Sequence, residues 1–366
     1  MEQSILETVI RKIPTHHRTV WIDICNSPHV LFFEPIIGEL QKRGIDLLVT
    51  AQDFGQTVAL LNMRKIPFTI VGGQTGKGLL SKISENLRRS VGLAARIRAD
   101  RPAIMVSHGS RSAVIAAWML GVPSITIDDF EHSFTRLNNT LSWLLLFPSI
   151  IPHTALRRAG IPVGKVKQYP GFKEEVYISG FQGPEPIDFT ELGIDPSEII
   201  VLLRPPATTA HYHTSQADFL YGKIVDYLGR QEGVRTIVLG RNPAQQAELK
   251  ASVGKMRGFT VPDCVFEGLS LLSQVDVMIG GGGTMNREAA IIGTPTYSFF
   301  AGPRPAVDSA LEHTGKMHFI RTEDDVNSIH LQKKRRNGDH GSATRSGLEF
   351  IVNEIQLALG GGAQDA

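Results

Sequence analysis

A chain of 366 residues is too long for one ordinary hydrophobic core and predicts two domains. A hydrophobic share of 42% with 20% charged residues excludes a disordered chain, and a net charge of +2 without a long basic stripe excludes nucleic acid as the main partner. Two cysteines, Cys25 and Cys264, exclude a disulfide framework or a cysteine-built metal cluster, and they fit a reduced, cytoplasmic compartment.

In chain order, residues 1–18 read as an added amphipathic helix with Ile5, Val9 and Ile10 on one side, and no apolar core of signal-peptide length. Residues 19–25, TVWIDIC, read as a buried strand. The loop Asn26-Ser27-Pro28-His29 leads into a helix over 30–43 that Gly44 closes, and 45–50 is the next strand. A helix over 53–64 and a strand over 66–71 follow. The loop 72–78, GGQTGKG, holds a Gly-Lys pair, but no Ser or Thr follows the lysine, so a phosphate-loop reading fails.

Residues 81–100 read as a helix carrying Arg88, Arg89, Arg96 and Arg98, followed by Arg101, with Leu87, Val91, Ala94 and Ala95 on its packed side. Two readings are open for the basic helix 81–101: a solvated face, or peripheral contact with the inner face of a membrane. A strand over 103–107, the polar loop 108–112, a helix over 113–120 and a strand over 122–127 continue the alternation. Asp128, Asp129, Glu131 and His132 then stand at a strand's C-terminal end, where parallel sheets gather ligands; capping of a following helix is the other reading. The apolar run 141–152 is too short to cross a bilayer and reads as a buried helix end and strand.

The Gly- and Pro-rich stretch 170–186 marks a change of domain. The expected division is an extension over 1–18, a first domain over 19–180, a linker over 181–196, a second domain over 197–330, and a basic loop, helix and disordered tail over 331–366. Strand–helix units are expected over 198–203, 219–230, 234–239, 244–253 and 264–266. The stretch 275–300, VDVMIGGGGTMNREAAIIGTPTYSFF, organises the second domain as one β-α-β unit with a glycine-rich turn. Such a turn lets backbone amides and a helix N-terminus meet an anion such as phosphate. Glu288, one turn into that helix, is placed to accept hydrogen bonds from a pair of sugar hydroxyls. Close helix–strand packing is the competing account of the glycines. The fold class is therefore α/β, with two facing, doubly wound, Rossmann-like domains and a cleft between them.

The segments WIDICNSPH at 21–29, RPP at 204–206 and GGTMNREAAIIGTP at 282–295 resemble the family known as domain of unknown function 354. With SHGSRSAVIAAWMLGVPSITIDD at 107–129 they also resemble the two-Rossmann-domain, GT-B-like glycosyltransferases. Among these the likeness is to the enzymes that transfer N-acetylglucosamine from UDP onto lipid I, and more distantly to the UDP-N-acetylglucosamine 2-epimerases. The resemblance spans about residues 19 to 330. It implies a metal-independent glycosyltransferase that takes a nucleotide sugar, UDP-linked, as substrate, without a cofactor.

Residue by residue, the resemblance puts Glu288 on the ribose and Gly281, Gly282, Gly283 and Thr284 at the diphosphate. Arg204 would supply a fixed cation there, with Thr208 and Thr209 donating hydroxyls; an interdomain salt bridge is the alternative for Arg204. Asn26, His29 and His108 would line the acceptor's path, and His29 or a carboxylate of Asp128 and Asp129 would act as base. The acceptor itself is unknown, and a lipid-linked one would suit the basic helix. Departures are visible as well. Gly302-Pro303-Arg304-Pro305 replaces the paired glutamines that touch the donor sugar in the lipid I enzymes, leaving the sugar open. Ser110 stands where the epimerases have a carboxylate, and their His-Arg-rich motif is missing, although Asp128 is retained. An epimerase, or a nucleotide-sugar-binding protein without catalysis, is the runner-up.

Overall fold

The computed structural model describes residues 19–73, 79–132, 136–206, 214–334 and 343–360. The expected N-terminal helix, the Gly-Lys pair of the 72–78 loop, Thr208 and Thr209, most of the basic loop and the glycine-rich tail lie outside the described residues.

The chain divides into two units, one running to Tyr177 and taking up the chain again from Arg345, the other spanning Ile178–Thr344. The first unit holds a seven-stranded parallel sheet: β1 (Thr19–Ile24), β2 (Asp46–Ala51), β3 (Thr69–Ile70), β4 (Ile104–His108), β5 (Ser124–Ile127), β6 (Leu144–Pro148) and β7 (Val166–Tyr169). Their order is β3-β2-β1-β4-β5-β6-β7. The second unit holds β8 (Ile199–Arg204), β9 (Val234–Val238), β10 (Phe259–Thr260), β11 (Val277–Gly280), β12 (Thr296–Ser298) and β13 (Met317–Phe319), in the order β10-β9-β8-β11-β12-β13. Both sheets are α/β and doubly wound: the chain leaves the centre one way, returns, and leaves the other way. The reversal opens a switch point between β1 and β4 in one unit and between β8 and β11 in the other, where ligands bind in such sheets.

Central strands are uniformly apolar because both faces are covered. Val20, Trp21, Ile22 and Ile24 of β1, and Ile104, Met105 and Val106 of β4, are fully buried. In the second unit Val201 and Leu203 of β8 join Val277 and Ile279 of β11 and Leu220 and Ile224 of the Ser215–Leu228 helix in one core. The strand expected at 264–266 lies elsewhere. β10 is Phe259–Thr260, and Val265 is 74% exposed, since the inward anchor of that segment is Phe259.

The C-terminal helix, Ser346–Leu359, belongs to the first unit. Its Ile351, Val352 and Ile355 are buried, and Asn353 and Gln356 accept hydrogen bonds from Arg43 at 2.7 and 2.6 Å. Lys167 of β7 pairs with Glu354 at 2.6 Å. Among the described residues no helix is long and apolar enough to cross a membrane.

The Leu79–Ile97 helix does not pack on the face its leucines suggest. Arg89 is 3% exposed and forms a two-pronged ion pair with Asp23 of β1, Nη2 to Oδ1 at 2.8 Å and Nη1 to Oδ2 at 2.9 Å. Its Nε donates to the Val71 carbonyl at 2.7 Å and Nη1 also donates to Ser112 at 2.6 Å. Asp23 is completed by Thr50 and Ser110 hydroxyls, each at 2.6 Å, and Thr50 in turn accepts from the Trp21 indole at 2.8 Å. With Arg89 inward, Ser90, Leu93, Ala94 and Ile97 form the packed face, while Leu87 and Val91 are 54% and 58% exposed. The expected packed side is thus corrected at Leu87, Val91 and Ala95, and Arg89 is removed from the solvated arginines.

Removing one partner of a buried ion pair strands the other charge, at a cost of about 3–5 kcal/mol. Arg89→Met is expected to lower stability by that order in urea unfolding. Arg89→Lys recovers only part of it, because an ammonium cannot span both carboxylate oxygens.

Candidate functional site

The switch point of the first unit collects histidines and carboxylates. Asn26 ends β1's excursion and caps the Ser27–Lys42 helix, its Oδ1 accepting the Ser27 N–H at 2.9 Å. That start places His29 in the helix's first turn, where its ring lies 4.4 Å from the ring of His108, the last residue of β4. Phe32, one turn on, meets His108 edge-on at 5.5 Å. His108 Nε2, buried and without a well-aligned hydrogen bond, lies 3.4 Å from Asp129 Oδ1. The other Asp129 oxygen takes the Lys173 ammonium at 2.7 Å, and Lys173 also faces Glu174 at 3.6 Å. Asp129, Glu131, Lys173 and Glu174 are all buried.

The electrostatics separate the groups by role. Burial first, then electrostatic opposition from His108 and the Lys173 ammonium, holds the His29 imidazole well below the ordinary histidine range despite Asp129. His29 is therefore a neutral ring at neutral pH, able to accept a proton. Burial, reinforced by Asp23, pushes the Cys25 thiol up to about 12, so this sulfur, 3.7 Å from His29 Nδ1, stays protonated and is no nucleophile. Asp128 has a structural duty: its Oδ1 accepts the N–H groups of Asp129 and Phe130 at 2.8 and 3.1 Å. Asp129 is the aspartate that faces His108 and Lys173.

The switch point of the second unit is cationic. Gly280 lies beside Arg204 across β11 and β8, and the Gly281 N–H donates to the Arg204 carbonyl at 3.2 Å. Three of the four glycines answer to packing. A Cβ on Gly280 would lie 2.2 Å from Asn286 Oδ1, one on Gly281 3.0 Å from Pro206 Cα, and one on Gly282 2.7 Å from the Phe300 ring. Gly283 differs. Its φ of +99° demands glycine, yet the nearest atom to its Cβ position is Arg241 Nη1 at 3.9 Å. Gly283 opens the Thr284–Ile291 helix with no side chain capping its N-terminus.

The Arg241 guanidinium stands by that end, and Arg204 lies close enough to Arg241 and Glu288 to feel both charges. Arg204 donates to the Gly240 carbonyl at 2.9 Å, and Arg241 donates from Nε to the Pro205 carbonyl at 3.1 Å and from Nη2 to the Gly282 carbonyl at 3.2 Å. Burial, then the Arg241 charge, lowers Arg204 to about 10, with the Glu288 carboxylate working in the other direction. Arg204 remains a cation at neutral pH. Glu288 is 6% exposed on the helix that Gly283 opens, and the buried Arg287–Asp308 pair, 2.6 Å, fixes that helix to the Ala306–His313 helix.

The structure thus brings Asn26, His29, His108 and Asp129 to one switch point, and Arg204, the Gly281–Gly283 turn, Thr284 and Glu288 to the other. Sequence reasoning missed Lys173 and Glu174, which lie in the stretch read as a domain boundary, and Arg241. Arg241 stands three residues past the C-terminal end of β9, and that place beyond a parallel strand was the available signal. Among the described residues no three His, Cys, Asp or Glu side chains are grouped to hold a metal ion.

A family model described as a protein of unknown function (DUF354) matches residues 18–355. The Methanocaldococcus jannaschii uncharacterized protein MJ0665 is 30% identical over 315 residues, covering 83% of this chain and 88% of that one. Among solved structures, the S. aureus MnaA–UDP co-structure superimposes with a TM-score of 0.74 at 13% identity, covering 95% of this chain and 99% of that chain. The Methanocaldococcus jannaschii UDP-GlcNAc 2-epimerase in complex with UDP-GlcNAc and UDP gives 0.68 at 15% identity, with 92% and 99% covered. Acinetobacter baumannii MurG gives 0.54 at 15%, again with 92% and 99% covered. At such identities the likeness is one of fold: the two-domain α/β fold of glycosyltransferases and epimerases.

The depressed His29 sets a pH dependence. The unfolded chain binds a proton at His29 near the ordinary value of 6.5, and the folded chain does not. Stability is then full above that pH and falls as pH drops through and below it. His29→Asn is expected to flatten the slope in unfolding measured from pH 8 to 5. The His29 ring proton in an NMR titration stays at its neutral position down to pH 6.5.

Proposed function

The chain belongs to the DUF354 family, and from that premise we propose that it is an enzyme acting on a nucleoside diphosphate sugar, transferring the sugar to a hydroxyl acceptor. One observation carries this reading: a helix N-terminus opened by Gly283 with Arg241 beside it and Arg204 close enough to feel the Arg241 charge. A helix start and paired guanidinium groups together suit a diphosphate, whose charge neither would hold as well alone. Glu288 suits the ribose hydroxyls, as an acceptor held near the same cations. Likeness to structures holding UDP favours UDP as the nucleotide.

Transfer would break the bond between sugar C1 and the β-phosphate oxygen and form one from C1 to the acceptor oxygen. The departing diphosphate keeps the electron pair, and the helix dipole and the two arginines stabilise the charge that develops there. For the acceptor's proton the first unit offers two candidate bases, the neutral His29 beside His108 and the Lys173-held Asp129. A 2-epimerase reading draws on the same cluster, because buried carboxylates and two imidazoles side by side provide acid and base on one patch.

Charge-assisted hydrogen bonds contribute about 1.5–3 kcal/mol each. Glu288→Gln and Arg241→Gln are each expected to weaken UDP binding in calorimetry by ~10–150-fold, the same range converted. Unchanged affinity in both would sink the assignment of the second unit.

Given UDP-N-acetylglucosamine alone, the purified protein is expected to release no N-acetylmannosamine and no manno-configured nucleotide. Steady formation of either, abolished by Asp129→Asn, would hand the function to the epimerase.

A further inference from the structure

The rotation imposed on the Leu79–Ile97 helix by Arg89 leaves a surface unexplained by either switch point. With Arg89, Leu93 and Ile97 turned inward, the outward side carries Ile83, Leu87, Val91 and Ala95, spaced four residues apart and all exposed. Four-residue spacing aligns these side chains in one stripe along the helix. Arginines outnumber carboxylates on the rest of the helix surface and its end: Arg88, Arg96, Arg98 and Arg101 against Glu85 and Asp100. Arg88 is exposed and paired with Glu85 at 3.0 Å, Arg96 pairs with Asp100 at 2.8 Å, and Arg98 is exposed next to the Val91–Ala95 end of the stripe. The Arg111–Leu120 helix packs against this one through Ala113, Val114 and Ala117, and it exposes Trp118 at 64%.

An exposed apolar stripe costs solvation and marks a surface that something covers. Arginines on its borders and a neighbouring exposed Trp match the composition of a helix that lies in a lipid headgroup layer. We propose that the outward face of the Leu79–Ile97 helix is a docking surface for an anionic lipid leaflet, with Ile83, Leu87 and Val91 entering the acyl boundary and Arg88 and Arg98 meeting headgroup phosphates. A second copy of the chain would instead need a self-complementary patch, and the surplus of arginines over Glu85 and Asp100 on this surface works against its own image. The proposal stands on the helix face alone and is independent of the nucleotide reading.

Co-sedimentation with phosphatidylcholine vesicles, with and without phosphatidylglycerol, tests it on the full chain. Binding to the anionic vesicles is expected at low salt, weak or absent binding to the neutral ones, and loss at high salt as the cations are screened. Arg98→Ser is expected to weaken binding about five-fold, the contribution of one cation near an anionic leaflet. The double variant Leu87→Ser, Val91→Ser is expected to reduce it at least about ten-fold, because the apolar entry is lost. Both leucine-face positions are exposed, so its thermal unfolding should match the parent chain, and an unfolding midpoint check accompanies the assay. No binding to anionic vesicles at low salt overturns the proposal, as does equal binding to neutral vesicles or undiminished binding by the double variant. A dimer in sedimentation equilibrium that the double variant converts to monomer would assign the stripe to a second copy and overturn it equally.

Discussion

The ion pair between Arg89 and Asp23 governs the first unit. Taking both charges out of water costs several kcal/mol per ion, and only a fully hydrogen-bonded arrangement offsets it. Here the arrangement is complete around the carboxylate: two guanidinium nitrogens, Thr50 and Ser110 all bond to Asp23. These partners come from β2, from the loop after β4 and from the Leu79–Ile97 helix, so the pair ties together the elements on both sides of the switch point. Three consequences follow from one contact. The helix is held at a rotation that exposes Ile83, Leu87 and Val91, the chain after β4 is fixed where His108 meets His29, and the Asp23 charge helps keep the Cys25 thiol protonated.

The two units repeat one topology with opposite electrostatics. In the first, the switch point is lined by imidazoles and carboxylates, and burial keeps His29 neutral. In the second, it is lined by guanidinium groups and a helix start. A parallel sheet presents strand ends at such a point whatever the sequence, so the chemistry is set by the few residues just past each strand: His29 and His108 after or at the ends of β1 and β4, Arg204 and Arg241 at β8 and after β9. The glycine run shows how shared duties overlap there. Gly280 to Gly282 permit the close approach of Asn286, Pro206 and Phe300; Gly282 and Gly283 both adopt positive φ, and of these two Gly283 has space beside it.

Much of this was legible in the sequence because it depends on local order. The apolar run of β1, the glycine turn before Thr284 and the alternation of strands and helices are encoded by neighbouring residues, and from them come the α/β class and the two parallel sheets. The Ser27–Lys42 helix begins three residues before the expected start at 30, which puts His29 in the helix and not in a loop. The five-residue slip between the start of the expected strand at 264–266 and that of β10 at Phe259–Thr260 shows the limit: a short apolar run does not say which of its residues finds the core.

What only the tertiary structure decided are contacts between distant residues. Arg89 reaches Asp23 across 66 positions, and periodicity read the helix by its leucines because an isolated helix has no reason to bury an arginine. Lys173 sits in a stretch whose glycines and prolines resemble a linker, and only the fold carries it to Asp129. Arg241 gains meaning from Gly282 and Gly283, some forty residues on, and Asp129 is separated from Asp128 only by which neighbours each meets. The C-terminal helix returns to the first unit because β7 and the Ser27–Lys42 helix offer it an apolar face. Local sequence determined the elements and the turns, since backbone preference and periodicity act over a few residues. Which charges pair, and so which groups remain ionised at each switch point, followed from burial and distance, which exist only once the chain has folded.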